Sequence, residues 1–306
     1  MRGLLCATLL SFPGPAPSSP PGSDLEIVEI AAGVFVHQGV HARLDEPRHD
    51  DIANIGFVIG ERCVAVIDTG GSIAIGRALL DAVRSTTDRP VCYVINTHIH
   101  YDHLLGNAAF RETGARFVGH AALPDAMAVS RDFFLERFAA DLGPGAGPEA
   151  IVAPGILVEE HAQLDLGNRV IELTAHRAAH TTSDVSVYDP RTGTLWTGDL
   201  VFVERAPVLD GSLRGWLDAL ARLESVKAER VVPGHGPASA AWPGAAADLR
   251  RYLERVAAEV RNGIAAGRFL EDLVDTAARD ERDKWQLFDE AHRRNLTRAF
   301  TELEWE

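Results

Sequence analysis

Four side chains able to bind a metal fall within the run His98–His103: His98, His100, Asp102 and His103, in the string Thr-His-Ile-His-Tyr-Asp-His-Leu-Leu-Gly-Asn. The run follows an apolar stretch, Val91 to Ile95, that reads as a buried strand. Imidazoles at alternate positions beyond a strand end can converge on one ion. Asp102 and His103 lie where the chain must turn, so they can face a second ion beside the first. Neutral imidazole plus carboxylate oxygen, with no thiolate, suits zinc and also iron or manganese. The bland alternative is a run of solvated loop residues, but paired imidazoles at this density are rare outside metal sites.

A closed site needs more donors, and three stand downstream. His180 lies in Ala178-Ala179-His180-Thr181-Thr182, Asp199 ends a strand in Leu195-Trp196-Thr197-Gly198-Asp199, and His235 sits between Gly234 and Gly236. Each follows a strand end, as the first run does. Each also has a plainer reading: a surface histidine, a helix N-cap, a turn residue. His176 is a rival to His180. His37, His41, His49, His120, His161 and His292 match no ligand position, although His41, His49 and Asp50 lie in a loop that could overhang the site.

The elements that must position these donors alternate twice. Leu25 to Gln38 reads as two short strands, and Ile52–Ile59 with Cys63–Ile67 as a hairpin turning at Gly60-Glu61. Ile75, Leu79, Leu80 and Val83 sit at helical spacing. A helix from about Asn107, a strand at Phe117–Gly119 and a helix opened by Pro124 follow, then a Gly/Pro-rich loop from Leu142 to Pro148. Strands are expected at Gln163–Leu166, Arg169–Thr174, Asp184–Tyr188, Thr194–Thr197 and Arg230–Val232, with a helix at about Gly215–Val226 and helices from Pro243 to the end. Two halves of strands followed by helices suit two mixed sheets packed face to face with helices outside.

Composition sets the class. The chain has 306 residues, 46% hydrophobic and 24% charged, as in ordinary globular proteins. Its formal net charge of -14 repels phosphate backbones and argues against nucleic acid as a partner. No apolar stretch is long enough to span a membrane. Arg2, the apolar run Leu4–Phe12 and the Pro/Ser-rich Pro13–Ser23 predict a secretory signal or disordered leader over residues 1–23. A signal would place the protein in the periplasm or outside the cell, and its absence in the cytoplasm. Cys63 and Cys92 are expected as buried thiols, with a disulfide as the outcome in an oxidising compartment.

Taken in order, the donors resemble the pattern of the metallo-β-lactamase superfamily: His-x-His-x-Asp-His, then His, Asp and His. The resemblance covers roughly Leu25 to Pro237. It implies an α/β (α+β) fold, a four-layer αββα sandwich of two mixed β-sheets over residues 24–238, with a C-terminal helical extension, residues 239–306, packed on it. It also implies two zinc ions, iron or manganese being the alternatives. One would take His98, His100 and His180; the other Asp102, His103 and His235; Asp199 would bridge them. Asp102 would also orient the attacking hydroxide, and Asp68, in Val66-Ile67-Asp68-Thr69-Gly70, would support the metal loop from behind. The implied activity is metal-dependent hydrolysis of a small-molecule ester, thioester, lactone or lactam. An iron-dependent sulfur dioxygenase of the same fold and a non-catalytic accessory factor are the competing readings. The string His49–Phe57 and the tail Phe288–Trp305 look like the quinoprotein relay system metallohydrolases, which implies association with a quinoprotein dehydrogenase.

Overall fold

The computed structural model describes residues 25–306. The leader expected over residues 1–23 lies outside them. The described residues form two mixed sheets. The first contains, in spatial order, β1 (Val28–Ala31), β2 (Val34–His37), β3 (Ile55–Ile59), β4 (Val64–Ile67), β5 (Val91–Ile95), β6 (Arg116–His120) and β7 (Ile156–Val158). β1 to β4 run antiparallel to their neighbours, and β4 to β7 run parallel. The second sheet has the order β13 (Ala240–Ala241), β12 (Arg230–His235), β11 (Thr194–Phe202), β10 (Val185–Asp189), β9 (Val170–Ala175) and β8 (His161–Asp165). Its one parallel pairing joins β11 to β12.

Side-chain alternation along the strands builds the layers. Ala65 and Ile67 of β4 point into the space between the sheets, where they meet Val187 and Trp196 of the second sheet. Val64 and Val66, one residue out of phase, pack outward against Leu79 and Val83 of α1 (Ile73–Thr86). Ser72 caps α1 by accepting the Ile75 N–H. α2 (Tyr101–Leu104) and a 3-10 helix (Leu105–Thr113) follow β5. α3 (Leu123–Arg137) and α4 (Ala139–Leu142) lie between β6 and β7. On the far side, α5 (Leu213–Leu223) buries Trp216 and Leu220 against Leu195 and Val201 of β11. The same apolar cluster continues into α6 (Ala247–Ala265), α7 (Leu270–Leu273) and α8 (Phe288–Leu303), so the C-terminal helices share a core with the second sheet. The order is helix, sheet, sheet, helix. No helix among the described residues is long and apolar enough to cross a membrane.

Several elements differ from the sequence reading. β7 is a three-residue strand after Pro154-Gly155, too short for its periodicity to show. The helix expected from Asn107 is 3-10 and begins at Leu105. β11 runs on to Phe202, which puts Asp199 inside a strand with irregular register rather than at its end. β12 likewise extends to include His235. The charged stretch Arg279–Lys284, read from the sequence as punctuating the C-terminal helices, is a 3-10 helix. Cys63 and Cys92 form a disulfide rather than two free thiols, with Cα atoms 5.7 Å apart. The reason lies in the pairing of β4 with β5: the register passes from Val64↔Val91 to Ala65↔Tyr93, leaving Cys92 as an extra residue. A bulge of this kind re-aims the side chain, here toward the neighbouring strand.

Candidate metal centre

Parallel strands β4 and β5 deliver the first part of the site. β4 is followed by Asp68, held at φ 56°, a left-handed conformation uncommon for a residue with a side chain. There its carboxylate accepts the Thr97 N–H at 2.8 Å, the Thr97 hydroxyl at 2.7 Å and His103 Nδ1 at 2.7 Å. The loop after β5 is thus tied back to the end of β4. Thr97 Oγ1, its proton given to Asp68, lies 3.0 Å from His98 Nδ1 and accepts from it. Both His98 and His103 therefore turn Nε2 inward.

The second sheet brings the rest. His180 follows β9 in a turn braced by Asp184, which accepts the Thr181 N–H at 2.8 Å and its hydroxyl at 2.7 Å. Burial pushes the Asp184 carboxyl up to about 6 even though the Thr181 bonds oppose it. His180 Nδ1 donates to the Val208 carbonyl at 2.7 Å, and His235 Nδ1 to the Ile52 carbonyl at 2.8 Å. β11 and β12 approach so closely that a Cβ on Gly234 would lie 2.0 Å from Asp199 Oδ1, so the glycine before His235 is required by the site itself. A Cβ on Gly198 would strike the Thr97 hydroxyl at 2.5 Å.

All seven side chains read from the sequence as donors meet. Ligand atoms of His98, His100, His180 and Asp199 lie within 4.8 Å of one another, and so do those of Asp102, His103 and His235. Asp199 spans the two groups. Its Oδ2 is 3.3 Å from His180 Nε2 and 3.7 Å from His98 Nε2, while its Oδ1 is 3.1 Å from His103 Nε2 and 3.2 Å from His235 Nε2. Asp102 Oδ2 lies 3.4 Å from His235 Nε2 and 3.5 Å from His103 Nε2.

Three atoms in this cluster, His98 Nε2, His103 Nε2 and Asp199 Oδ1, are buried with no hydrogen-bond partner among the described residues. Leaving a buried polar atom unsatisfied costs about 1–3 kcal/mol, so three within one cluster call for partners there. The first group makes the same demand. His100 donates Nε2–H to Asp210 at 2.8 Å and His180 donates Nδ1–H to Val208, so in the neutral rings His100 Nδ1 and His180 Nε2 face each other as lone pairs 3.0 Å apart. A shared cation reconciles them, and the donor set fits a metal.

The charge balance agrees. Burial, with the neighbouring imidazoles, holds His98 well below its ordinary value, and burial lowers His180 to about 3. Both are neutral, as ligands must be. Burial also opposes charge on His103, yet Asp199, Asp102 and Asp68 raise it well above the usual range. For His100, Asp210 outweighs burial and raises it. Burial would raise Asp199, but His235, His103 and His98 hold it well below the usual carboxylate range. Around His103, His100 and Asp199 the surroundings thus favour positive charge.

The sequence reading missed Asp210 and Asp184. Asp210 precedes Gly211 and the Ser212 cap of α5, so it reads as a turn residue. His176, the rival to His180, instead bonds Ser186 Oγ at 2.8 Å and lies outside the cluster. The loop from Val40 to Asn54 does border the site: Tyr101 donates its hydroxyl to the His49 carbonyl, and Ile52 holds His235.

Comparison with known proteins accords with this geometry. The chain is 26% identical over 211 residues to the acyl-coenzyme A thioesterase MBLAC2 of Gallus gallus, covering 60% of this chain and 72% of that protein. Among solved structures it resembles a metallo-beta-lactamase from Pontibacter korlensis, with a TM-score of 0.62 and 23% identity over 76% of this chain and 99% of the other. It also resembles the stereoselective inverting sec-alkylsulfatase Pisa1 from Pseudomonas sp., with a TM-score of 0.69 and 18% identity over 90% of this chain. The match spans half the length of that sulfatase. These structural likenesses establish the fold. Residues 49–235, from the loop beside the site through the last of the clustered histidines, match the metallo-beta-lactamase superfamily, and the chain belongs to that superfamily.

Proposed function

We propose that this chain is a dinuclear metallohydrolase acting on a carbonyl substrate. His98, His100 and His180 would hold one ion, Asp102, His103 and His235 the other, with Asp199 between them. Imidazole and carboxylate donors without thiolate suit zinc, and also accept iron or manganese. Metal ions held there would supply Lewis acidity, acidifying a water and polarising a carbonyl. The chain's own residues do the rest. Asp102, with its carboxylate between His103 and His235, orients the attacking water and takes up its proton. Asp68 keeps His103 and, through Thr97, His98 in the orientation that presents Nε2. The observation that carries the reading is the three orphaned buried atoms within one cluster of seven donors.

Thioesters head the substrate classes because of the thioesterase relative, followed by esters, lactones and lactams. The Cys63–Cys92 bridge supports folding in an oxidising compartment, consistent with a periplasmic or secreted enzyme. The test is metal analysis of the zinc-loaded chain together with a panel of acyl thioesters, lactones and lactams. Two zinc equivalents and turnover of one class are expected. Asp199→Ala should lower bound zinc and reduce kcat/KM by about a thousand-fold, equivalent to about 4 kcal/mol. Undiminished turnover in that variant refutes the reading. One equivalent of iron with oxygen uptake on a persulfide would replace it with the dioxygenase chemistry.

A further inference from the structure

The segment between β11 and α5 carries two supports for the first group of donors. The Val208 carbonyl accepts from His180 Nδ1, and Asp210 Oδ2 accepts from His100 Nε2. Imidazole ligands are held to their tautomer and tilt by such partners. The supports must themselves be fixed, and the groups that fix them come from α8. Asn295, only 1% exposed, accepts the Leu209 N–H at 2.9 Å and donates to the Pro207 carbonyl at 2.7 Å. It therefore grips the main chain on both sides of Val208. Arg294 pairs with Asp210 through Oδ1, the oxygen that His100 leaves free. Arg298 donates twice to the Gly211 carbonyl, at 2.9 and 2.7 Å. Residues 294, 295 and 298 share one face of the helix.

The second group meets α8 less directly, through the exposed Arg43–Glu290 pair on the loop that carries Ile52. His103 leans on Asp68 and His235 on the Ile52 carbonyl, both within the sandwich.

Building on the dinuclear reading above, we propose that α8 acts as a positioning element for one metal position only. Asn295 and Arg294 are positioning residues that act through Val208 and Asp210 on His180 and His100. They set the affinity of that position and leave the position at Asp102, His103 and His235 unaffected.

The experiment uses the full chain, stripped and titrated with zinc against a competing chelator, with the absorption spectrum of the cobalt form followed in parallel. Asn295→Ala and Arg294→Ala are compared with Thr297→Ala, whose hydroxyl bonds only within the helix, to the Arg293 carbonyl. The wild-type chain and Thr297→Ala should bind two ions. Asn295→Ala should lose about 10–100-fold affinity at one position and none at the other, with one cobalt spectral component fading first. Arg294→Ala should show the same selective loss, smaller in size, and Arg294→Lys should restore most of it by keeping a cation on Asp210. Arg294 is 62% exposed on its side chain, so its variants test the idea even if Asn295→Ala misfolds. Variants that hold both ions as tightly as wild type, or that lose both together, overturn this inference alone. A wild-type chain that binds fewer than two ions overturns the dinuclear reading and this inference with it.

Discussion

The two halves of the sandwich hold their histidines by different means. In the run after β5 the rings lean on side chains: His98 on Thr97, His103 on Asp68, His100 on Asp210. In the second half they lean on main chain: His180 on the Val208 carbonyl and His235 on that of Ile52. A side-chain support can be removed by one substitution. A carbonyl support moves only if the path of its loop moves. The supports also cross over. Asp210 comes from the second half and orients a ring of the first, while Ile52 comes from the first half and orients a ring of the second. Neither half completes a site alone.

The sharpest way to test that asymmetry is to remove the most heavily used side-chain support. Asp68 is 1% exposed and accepts three hydrogen bonds, reaching a histidine in each donor group. Asp68→Ala leaves those donors without an acceptor and should cost about 3–5 kcal/mol of stability, as breaking a buried charged network does. Zinc affinity should fall by about 100-fold, the upper end for loss of a group behind a ligand. Chelator competition and thermal melting measure the two effects. Wild-type affinity in this variant would mean that the run after β5 is as self-supporting as the second half.

The disulfide offers a second, smaller contrast, because it braces the first sheet while leaving the second untouched. Cys63 and Cys92 are 29 residues apart and join the two strands that carry Asp68 and the histidine run. Loop closure on that scale is worth about 3.6 kcal/mol in the unfolded chain. A Cys63→Ala/Cys92→Ala variant should melt earlier by that amount while binding zinc as wild type does. Matching loss of zinc would show that the bridge sets ligand geometry and not merely the stability of the fold.

How far the site could be read in advance follows the same division. A compact run such as His98–His103 declares itself, because its donors are adjacent in sequence. His180, Asp199 and His235 were legible through their order and their places near strand ends, even though β11 and β12 run further than periodicity suggested. Apolar alternation located both sheets but not β7, which has three residues and follows a Pro-Gly pair, nor the two-residue β13 after Arg230–Val232. Asp210 and Asn295 were invisible for a different reason. Asp210 acts on His100, 110 residues earlier in the chain, and Asn295 on a loop 86 residues earlier, both through tertiary contacts. The disulfide was left open because adjacent strands seldom allow one, and only the irregular register of β4 and β5 aims the two side chains together.

The smallest expected effect concerns His176, a buried histidine that the second half does not use for the cluster. His176 lies four residues before His180, its Nε2 bonds Ser186, and burial, with Arg222 and its histidine neighbours, lowers it to about 4. At neutral pH His176→Gln should therefore leave zinc content unchanged and cost about 1 kcal/mol, the worth of one hydrogen bond. Acid should reverse the ranking. In the unfolded chain a histidine takes up its proton near pH 6.5, whereas the folded chain resists protonation of His176 until about pH 4. The unfolded state thus binds more protons between those values, and stability falls as pH drops through that window. Glutamine has no such titration, so the variant should lose less stability than wild type between pH 6.5 and pH 4. Melts recorded at pH 7.5 and pH 5 measure the change. A parallel loss in both proteins would mean that His176 is not the desolvated, neutral ring its surroundings make it. A drop in zinc at pH 7.5 would mean that it, rather than a main-chain-supported His180, belongs to the metal.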